Sequence, residues 1–368
     1  MAFRSSSSKF IVKRYHSTLL SKCNAYIGNP LFVYKACANR IVILKKLENT
    51  ITNETRDDIY DKNYSEFKGD KFHVEKIIDI NTLTELTEAK SAFYRKQIKY
   101  IAGKNVEETK FIYDDLNSTL SNGIRYYLTL EPAYYLAKSE RNGKDMIWHT
   151  NGSRYIECEY INGKLHGKYN VYHENDNPYV ECYFINGVKH GKYLSWNKDN
   201  TKILEFEYDN GIRNGLFRSW FTNGNRETEC TFENGDIHGM YESWFDNKEQ
   251  YKKCYYTNGK LNGKFITRYD NGQVAVECEY ILVVRDKQIN EKINGKYEEW
   301  WKNGKKKTIA NYIEGELEGK YFEYYDSEIM KMECEYKNGK LHGTYKQYNQ
   351  NGELEEVYEY KNGKMLTN

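Results

Sequence analysis

Six cysteines, Cys158, Cys182, Cys230, Cys254, Cys278 and Cys334, recur at spacings that suggest shared chemistry, as do four histidines, His166, His190, His238 and His342. A ladder of thiolates could pair as disulfides, and Cys with His could hold zinc. The spacing opposes both. Glycines at 167, 191, 215, 239, 263, 295, 319 and 343 open units of 24 residues, with one interval of 32, and all six cysteines take position 16 of this frame. If each unit is a hairpin, equivalent positions lie two strands apart, about 9.6 Å. A disulfide needs Cα atoms within about 7 Å, and a zinc–sulfur bond is about 2.3 Å. Phe206, Ala310 and Tyr358 fill the same slot in other units, so the cysteines are expected to be core. Free buried thiols imply an intracellular, reducing compartment. The histidines alternate with Asn214, Asn262, Asn294 and Glu318, which suits residues serving backbone in a turn between hairpins. Cys-x-x-Cys, HExxH, Gly-x-Ser-x-Gly and a phosphate-cradling glycine loop are all missing, and nothing around Cys37 and His73 supports a nucleophile pair. The expectation is a chain without catalytic residues, metal or cofactor.

Aromatic residues are the other recurrent chemistry. Position 3 is aromatic in every unit, position 18 is Tyr or Phe, and position 6 is aromatic in all but one, where Arg268 stands. Trp196, Trp220, Trp244 and Trp300 at position 6 form the candidate interaction surface. Such a ladder on an open sheet can hold a peptide or the apolar face of a partner. The alternative is that the rings pack on one another and give the sheet its apolar layer.

The elements that carry these residues follow from turn chemistry. Asn-Gly stands at positions 20–21 in six units, as in Asn186-Gly187 and Asn338-Gly339, and often again mid-unit, as in Asn223-Gly224 and Asn303-Gly304. Asn-Gly between aromatic or β-branched runs marks a hairpin, because both residues accept positive φ. Two turns per unit leave two strands of about six residues. The expected fold is mainly β: an elongated, twisted antiparallel β-meander of repeated hairpins over residues 144–368, with residues 144–166 as a partial unit. In Glu157-Cys158-Glu159-Tyr160 and Glu333-Cys334-Glu335-Tyr336, Cys and Tyr point one way and Glu the other. Lysines at positions 2 and 22 offset the acidic face. The eight extra residues within Ile281–Ile293 are expected to lengthen a hairpin or form a loop.

Upstream, residues 1–29 read as a basic Ser-rich tail and 30–140 as a small α+β domain. Leu31–Cys37, Arg40–Leu44, Lys71–Ile78 and Gly123–Leu128 read as strands, residues 50–70 as loop, and Thr129–Ala137 as a helix capped by Thr129 with Pro132 in its first turn. The segment Lys138–Lys144 is the expected boundary.

The turns Asn162-Gly163-Lys164-Leu165-His166-Gly167 and Asn338-Gly339-Lys340-Leu341-His342-Gly343 resemble those of MORN repeats, in the variant seen in antitoxin-like bacterial proteins and in giant viruses of amoebae. The resemblance implies a scaffold or protein-interaction array, and for some arrays a link to phospholipid. Tyr34-Lys35-Ala36-Cys37 and Gly123–Ala137 resemble an uncharacterised domain that stands beside repeat arrays in those viruses, which implies no activity.

Charge narrows the partners. The chain carries +2, split as +6 over residues 1–143 and −4 over residues 144–368. A mildly acidic array has no general attraction for nucleic acid or anionic lipid. No apolar run reaches the length of a membrane helix. Residues 1–47 hold nine Lys/Arg and no acid, so lipid association, or a mitochondrial targeting role, would lie there. The leading expectation is a non-enzymatic scaffold with a protein partner. The alternatives are a lipid-associated scaffold and an enzyme active through residues 30–140. The sequence leaves the oligomeric state open.

Overall fold

The structure is a computed structural model describing residues 17–91, 97–109, 122–139 and 141–366. The Ser-rich segment over residues 1–16, including most of the stretch read for targeting, lies outside the described residues. The chain divides into two compact units, Met1–Val188 and Lys189–Asn368.

In the first unit, α1 (Ser17–Cys23) precedes β1 (Phe32–Cys37), β2 (Arg40–Lys46), β3 (Glu66–Gly69), β4 (Lys71–Asp79), β5 (Glu88–Lys90), β6 (Lys99–Ile101), β7 (Asn105–Glu107), β8 (Ile124–Tyr127) and α2 (Leu130–Ala137). Six of the strands form a sheet in the order β3-β8-β1-β2-β4-β7, while β5 pairs with β6. Both faces are buried. Val42 and Leu44 join Phe67, Phe72, Tyr100 and Tyr126 on one side. Ile41 and Ile43 meet Leu19, Cys23, Leu130 and Ala133 from the two helices on the other. Alternate residues of β2 thus serve two cores, and the strand reads as an unbroken apolar run. Leu19 and Cys23 are fully enclosed, although they fall in the stretch read as a tail. The strand β3 lies where a loop is expected. Thr129 stands at the N-cap of α2, but its hydroxyl bonds Asn63 O and makes no cap.

The array contributes twenty-four strands, an antiparallel meander of β-hairpins. Its two kinds of turn differ. At positions 20–21 both residues take positive φ, as at Asn162 (50°) and Gly163 (75°), giving the two-residue turn whose twist suits paired strands. Asp286-Lys287 and Glu314-Gly315 adopt the same shape without Asn-Gly. At the mid-unit turn one residue does: Gly224 at 84°, while Phe221 N–H donates to Asn225 O at 2.9 Å. Asn223 instead accepts the Asn225 N–H through its side chain at 2.9 Å.

The opening glycines are not in turns at all. Cys158 pairs with Tyr169 and Tyr160 with Leu165, so the second strand carries extra residues there, a β-bulge. Gly167 sits in it at φ 85°, with His166 beside it inside the strand Lys164–Tyr172. The position-17 side chain leans over this glycine. In the second unit Glu207 Oε2 would lie 3.1 Å from a Cβ on Gly215. The 32-residue interval lengthens one hairpin: Val274–Arg285 pairs with Gln288–Ile293 up to Arg285↔Gln288.

Candidate interaction surface

Each array strand alternates, so the two faces of a hairpin differ in chemistry. On one face, position 3 pairs across to position 16, as Phe217 with Cys230 and Tyr321 with Cys334. The ring at position 3 also meets the ring at position 18 edge to face. Tyr169–Phe184, Phe217–Phe232 and Tyr321–Tyr336 have centroids 5.6, 5.7 and 5.8 Å apart. Edge-to-face contact suits the ring quadrupole and adds roughly 1 kcal/mol beyond burial. All eight cysteines are buried, and none is joined in a disulfide. Burial pushes the thiols of Cys158, Cys230, Cys278 and Cys334 up to about 11, so they stand as neutral thiols at neutral pH. The rings above them are half-buried and form a row along each unit.

The other face carries Glu at position 15, Lys at position 2 and the aromatic residue at position 6. Trp196, Trp220, Trp244 and Trp300 therefore stand among charges, not on the cysteine face, and they do not form the apolar layer of the sheet. Positions 3 and 6 are an odd number of residues apart, which puts them on opposite sides of a strand. Lys202 Nζ lies 5.5 Å from the Trp220 ring centre and 3.1 Å from Glu205 Oε2. Arg226 lies 5.8 Å from Trp244 and 2.5 Å from Glu229. Lys306 lies 4.0 Å from Trp300 and pairs with Glu298. In the first unit Arg154 covers Tyr172 at 4.0 Å and grips Asp176 with two bonds of 2.9 and 2.8 Å. A cation over a ring contributes about 0.5–1 kcal/mol at such exposure. These rings are half-buried and already engaged.

Three further contacts tie successive hairpins, and the sequence reading missed them. Position 7 bonds the position-6 carbonyl of the next hairpin: Tyr269 Oη to Trp300 O at 2.9 Å, Trp301 Nε1 to Tyr324 O at 3.2 Å, Tyr325 Oη to Tyr348 O at 3.0 Å. The mid-turn Asn amide reaches the next mid-turn, as Asn247 to Asp270 O at 2.8 Å and Asn303 to Asp326 O at 3.0 Å. The glycine N–H of the two-residue turn donates to the carbonyl of position 23 before it, as Gly235 to Arg213 O at 2.9 Å. The aromatic residues Phe221, Phe245, Tyr269, Trp301 and Tyr325 at position 7 were the available signal.

The N-terminal region separates the residues that could have formed a nucleophile pair. Cys37 pairs with Arg40 at one end of β1, while His73 is level with Lys45 and Phe32 at the other. Five residues of strand part them, about 17 Å. His73 Nδ1 instead meets Asn105 Oδ1 at 2.8 Å. A cleft of about 260 Å³ is lined by Ile27, Phe32, Tyr34, Leu128 and the Lys46–Glu54 ion pair, whose separation is 2.6 Å. Among the described residues no group of three His, Cys, Asp or Glu is placed to hold a metal.

Six segments of the array, residues 165–186, 213–234, 261–281, 293–314, 317–338 and 341–362, match the family model of the MORN repeat variant. No curated protein matches the chain. The two 24-residue units outside these segments carry the same strands, Gly191–Trp196 with Lys202–Asp209 and Asp236–Trp244 with Gln250–Thr257.

Proposed function

We propose that this chain, with six MORN-variant matches in its array, is a non-enzymatic scaffold that holds a protein partner on the aromatic face of its hairpins. MORN repeats are generally protein- or membrane-interaction modules and typically non-enzymatic. The observation that carries the reading is the row of edge-to-face ring pairs at positions 3 and 18. These rings are half-buried while the cysteines beneath them are buried, so apolar surface is left for a partner. Aromatic residues supply much of the binding energy at protein interfaces. The test is affinity purification followed by stoichiometric binding of the purified partner. Tyr297→Ser and Tyr321→Ser should lose the partner, and Trp220→Ala with Trp244→Ala should keep it.

The reverse result would favour a second reading, in which the contact is made by Trp196, Trp220, Trp244 and Trp300. Their half-exposure supports it. Lipid association through residues 1–47 rests on nine cations before the first acid; liposome pelleting that survives deletion of that stretch would sink it. Activity in the N-terminal region rests on the 260 Å³ cleft alone. A giant-virus source and a reducing, intracellular location belong to the same proposal. They rest on the Tyr34–Cys37 and Gly123–Ala137 likeness and on eight cysteines outside any disulfide.

A further inference from the structure

Three cations stand on the aromatic face of the second unit where other hairpins mostly carry apolar side chains. Position 23 is Leu165, Ile237, Leu261, Ile293, Leu317 or Leu341 elsewhere, but Lys189 and Arg213 in two consecutive units. Position 14 is Val180, Leu204, Val276 or Met332 in four other units, Thr228 or Thr308 in two and Glu356 in the last, but Lys252 in one. Lys189 Nζ lies 5.3 Å from the ring centres of both Tyr193 and Tyr208. Arg213 lies 5.1 Å from Phe206 and 5.6 Å from Phe232. Lys252 lies 5.4 Å from Tyr241 and 5.1 Å from Phe265, and donates to Tyr256 Oη at 3.2 Å.

The pairing of these cations sets them apart. Among the described residues no ion pair joins Lys189, Arg213 or Lys252 to a carboxylate. On the opposite face Arg218 meets Glu229 at 3.0 Å, Lys253 meets Glu242 at 3.0 Å and Lys264 meets Glu277 at 2.7 Å. The carboxylate of Glu291 acts on the Tyr256 ring that Lys252 contacts, and among the described residues no ion pair joins it to the lysine. A cation left over rings, with no anion of its own, keeps its charge available to a partner while the rings offer apolar contact.

We infer that Lys189, Arg213 and Lys252, with the rings beneath them, form a docking track for an extended acidic segment of a partner protein. The inference rests on the scaffold reading and names the chemistry of its partner. Lys189 and Arg213 are two strands apart, about 10 Å, and Lys252 lies three strands further across the sheet and four residues along it, about 19 Å from Arg213. An extended polyproline-II-type chain has three residues per turn and rises about 3.1 Å per residue, so carboxylates about three and then about six residues apart lie on one side of it and would meet them. Three cations in an array of charge −4 suit a few discrete carboxylates and not a nucleic-acid strand, whose continuous phosphates would meet the glutamates of the array.

The experiment uses the full chain and fluorescence anisotropy with a labelled peptide repeating Glu-Thr-Leu, beside a Lys-Thr-Leu peptide and an oligouridylate. The acidic peptide should bind, and binding should weaken steeply with salt. The combined variant Lys189→Gln, Arg213→Gln, Lys252→Gln should weaken it about tenfold or more, equivalent to about 1.4 kcal/mol or more. Lys264→Gln, on the other face, should leave it unchanged. Thermal unfolding of each variant shows that the fold is retained. If the triple variant proves unstable, Arg213→Gln alone is read in the same way, with a loss of at least about threefold expected. Equal binding by wild type and variant, no binding of the acidic peptide, or preference for the lysine peptide or the oligouridylate would each overturn the inference. A protein partner still held by the aromatic face in those cases would leave the scaffold reading standing.

Discussion

Tyr64 lies flat on Trp148, with ring centroids 4.9 Å apart and planes 9° from parallel, and its hydroxyl donates to Glu131 Oε2 at 3.3 Å. One side chain thus joins the loop before β3, the helix α2 and the first array strand, Gly143–Trp148. Around it Arg56 bonds Glu66 O at 2.7 Å and Thr150 O, and Ser65 Oγ bonds Asn151 O at 2.7 Å. Trp148 also meets Tyr135 of α2 at 5.8 Å. The first hairpin of the array is therefore held against the N-terminal sheet and helix by ring stacking and by hydrogen bonds to its turn. Trp148→Ala should cost about 3 kcal/mol, and Tyr64→Ala somewhat less. A double-mutant cycle in urea should return a coupling of about 1 kcal/mol. Strict additivity would mean that the stacked rings contribute nothing to each other.

Glu131 gives the same junction a pH dependence. It is 9% exposed, one carboxylate oxygen has no hydrogen-bond partner, and burial pushes its carboxyl from 4.5 up to about 7. A folded-state value above the unfolded one means that the protonated form is favoured by folding. Its contribution is complete below about pH 4.5 and is lost as pH rises through about 7. Glu131→Gln should therefore melt close to wild type at pH 4 and a few degrees higher at pH 8, on the order of 3 °C. Scanning calorimetry at both values decides it, and a difference independent of pH would rule out titration of this carboxyl.

Gly152 and Gly239 separate two reasons for glycine. Both have positive φ, 88° and 83°. A Cβ on Gly152 would lie 2.1 Å from Asp61 O and 2.7 Å from Ser65 Oγ, whereas nothing lies within 4 Å of one on Gly239. Gly239→Ala should cost only the left-handed backbone strain, about 1 kcal/mol. Gly152→Ala adds a collision with backbone at the junction and should cost about 3 kcal/mol or more. Similar midpoints in denaturant for the two variants would show that the junction yields easily.

The hairpins were legible because Asn-Gly and the Glu-Cys-Glu-Tyr alternation are local signals. Within them the reading failed where two structures share one signal. Asn223-Gly224 and Asn186-Gly187 look alike, yet the first is a longer turn with one left-handed residue and the second has two. Gly167 reads as turn glycine but lies in a bulge, where the register shift between paired strands sets its φ at 85°. Counting by period two from Phe217 places Trp220 on the face opposite Cys230. The junction at Tyr64 and Trp148 could not be read at all. The two residues are far apart in sequence and carry no periodicity, and only the fold of β3 and β8 brings them together.

The mid-unit turn offers a stabilising change. Gly224, Gly272, Gly304 and Gly352 take its left-handed position, but Lys248 and Glu328 hold φ of 75° and 74° there. A side chain in that region costs about 1 kcal/mol, which glycine avoids, although glycine also loses more freedom on folding. Lys248 is exposed, so Lys248→Gly forfeits no packing. Glu328 stands 3.8 Å from Lys305 in an exposed pair, and Glu328→Gly gives up that small attraction. The net gain should be about 0.5 kcal/mol for Lys248→Gly and less for Glu328→Gly. Lys248→Ala, which keeps the strain, should gain nothing. Urea midpoints of the three variants in the full chain test the order, and an equal gain for Ala and Gly at residue 248 would show that removal of the lysine, not relief of the backbone, is responsible.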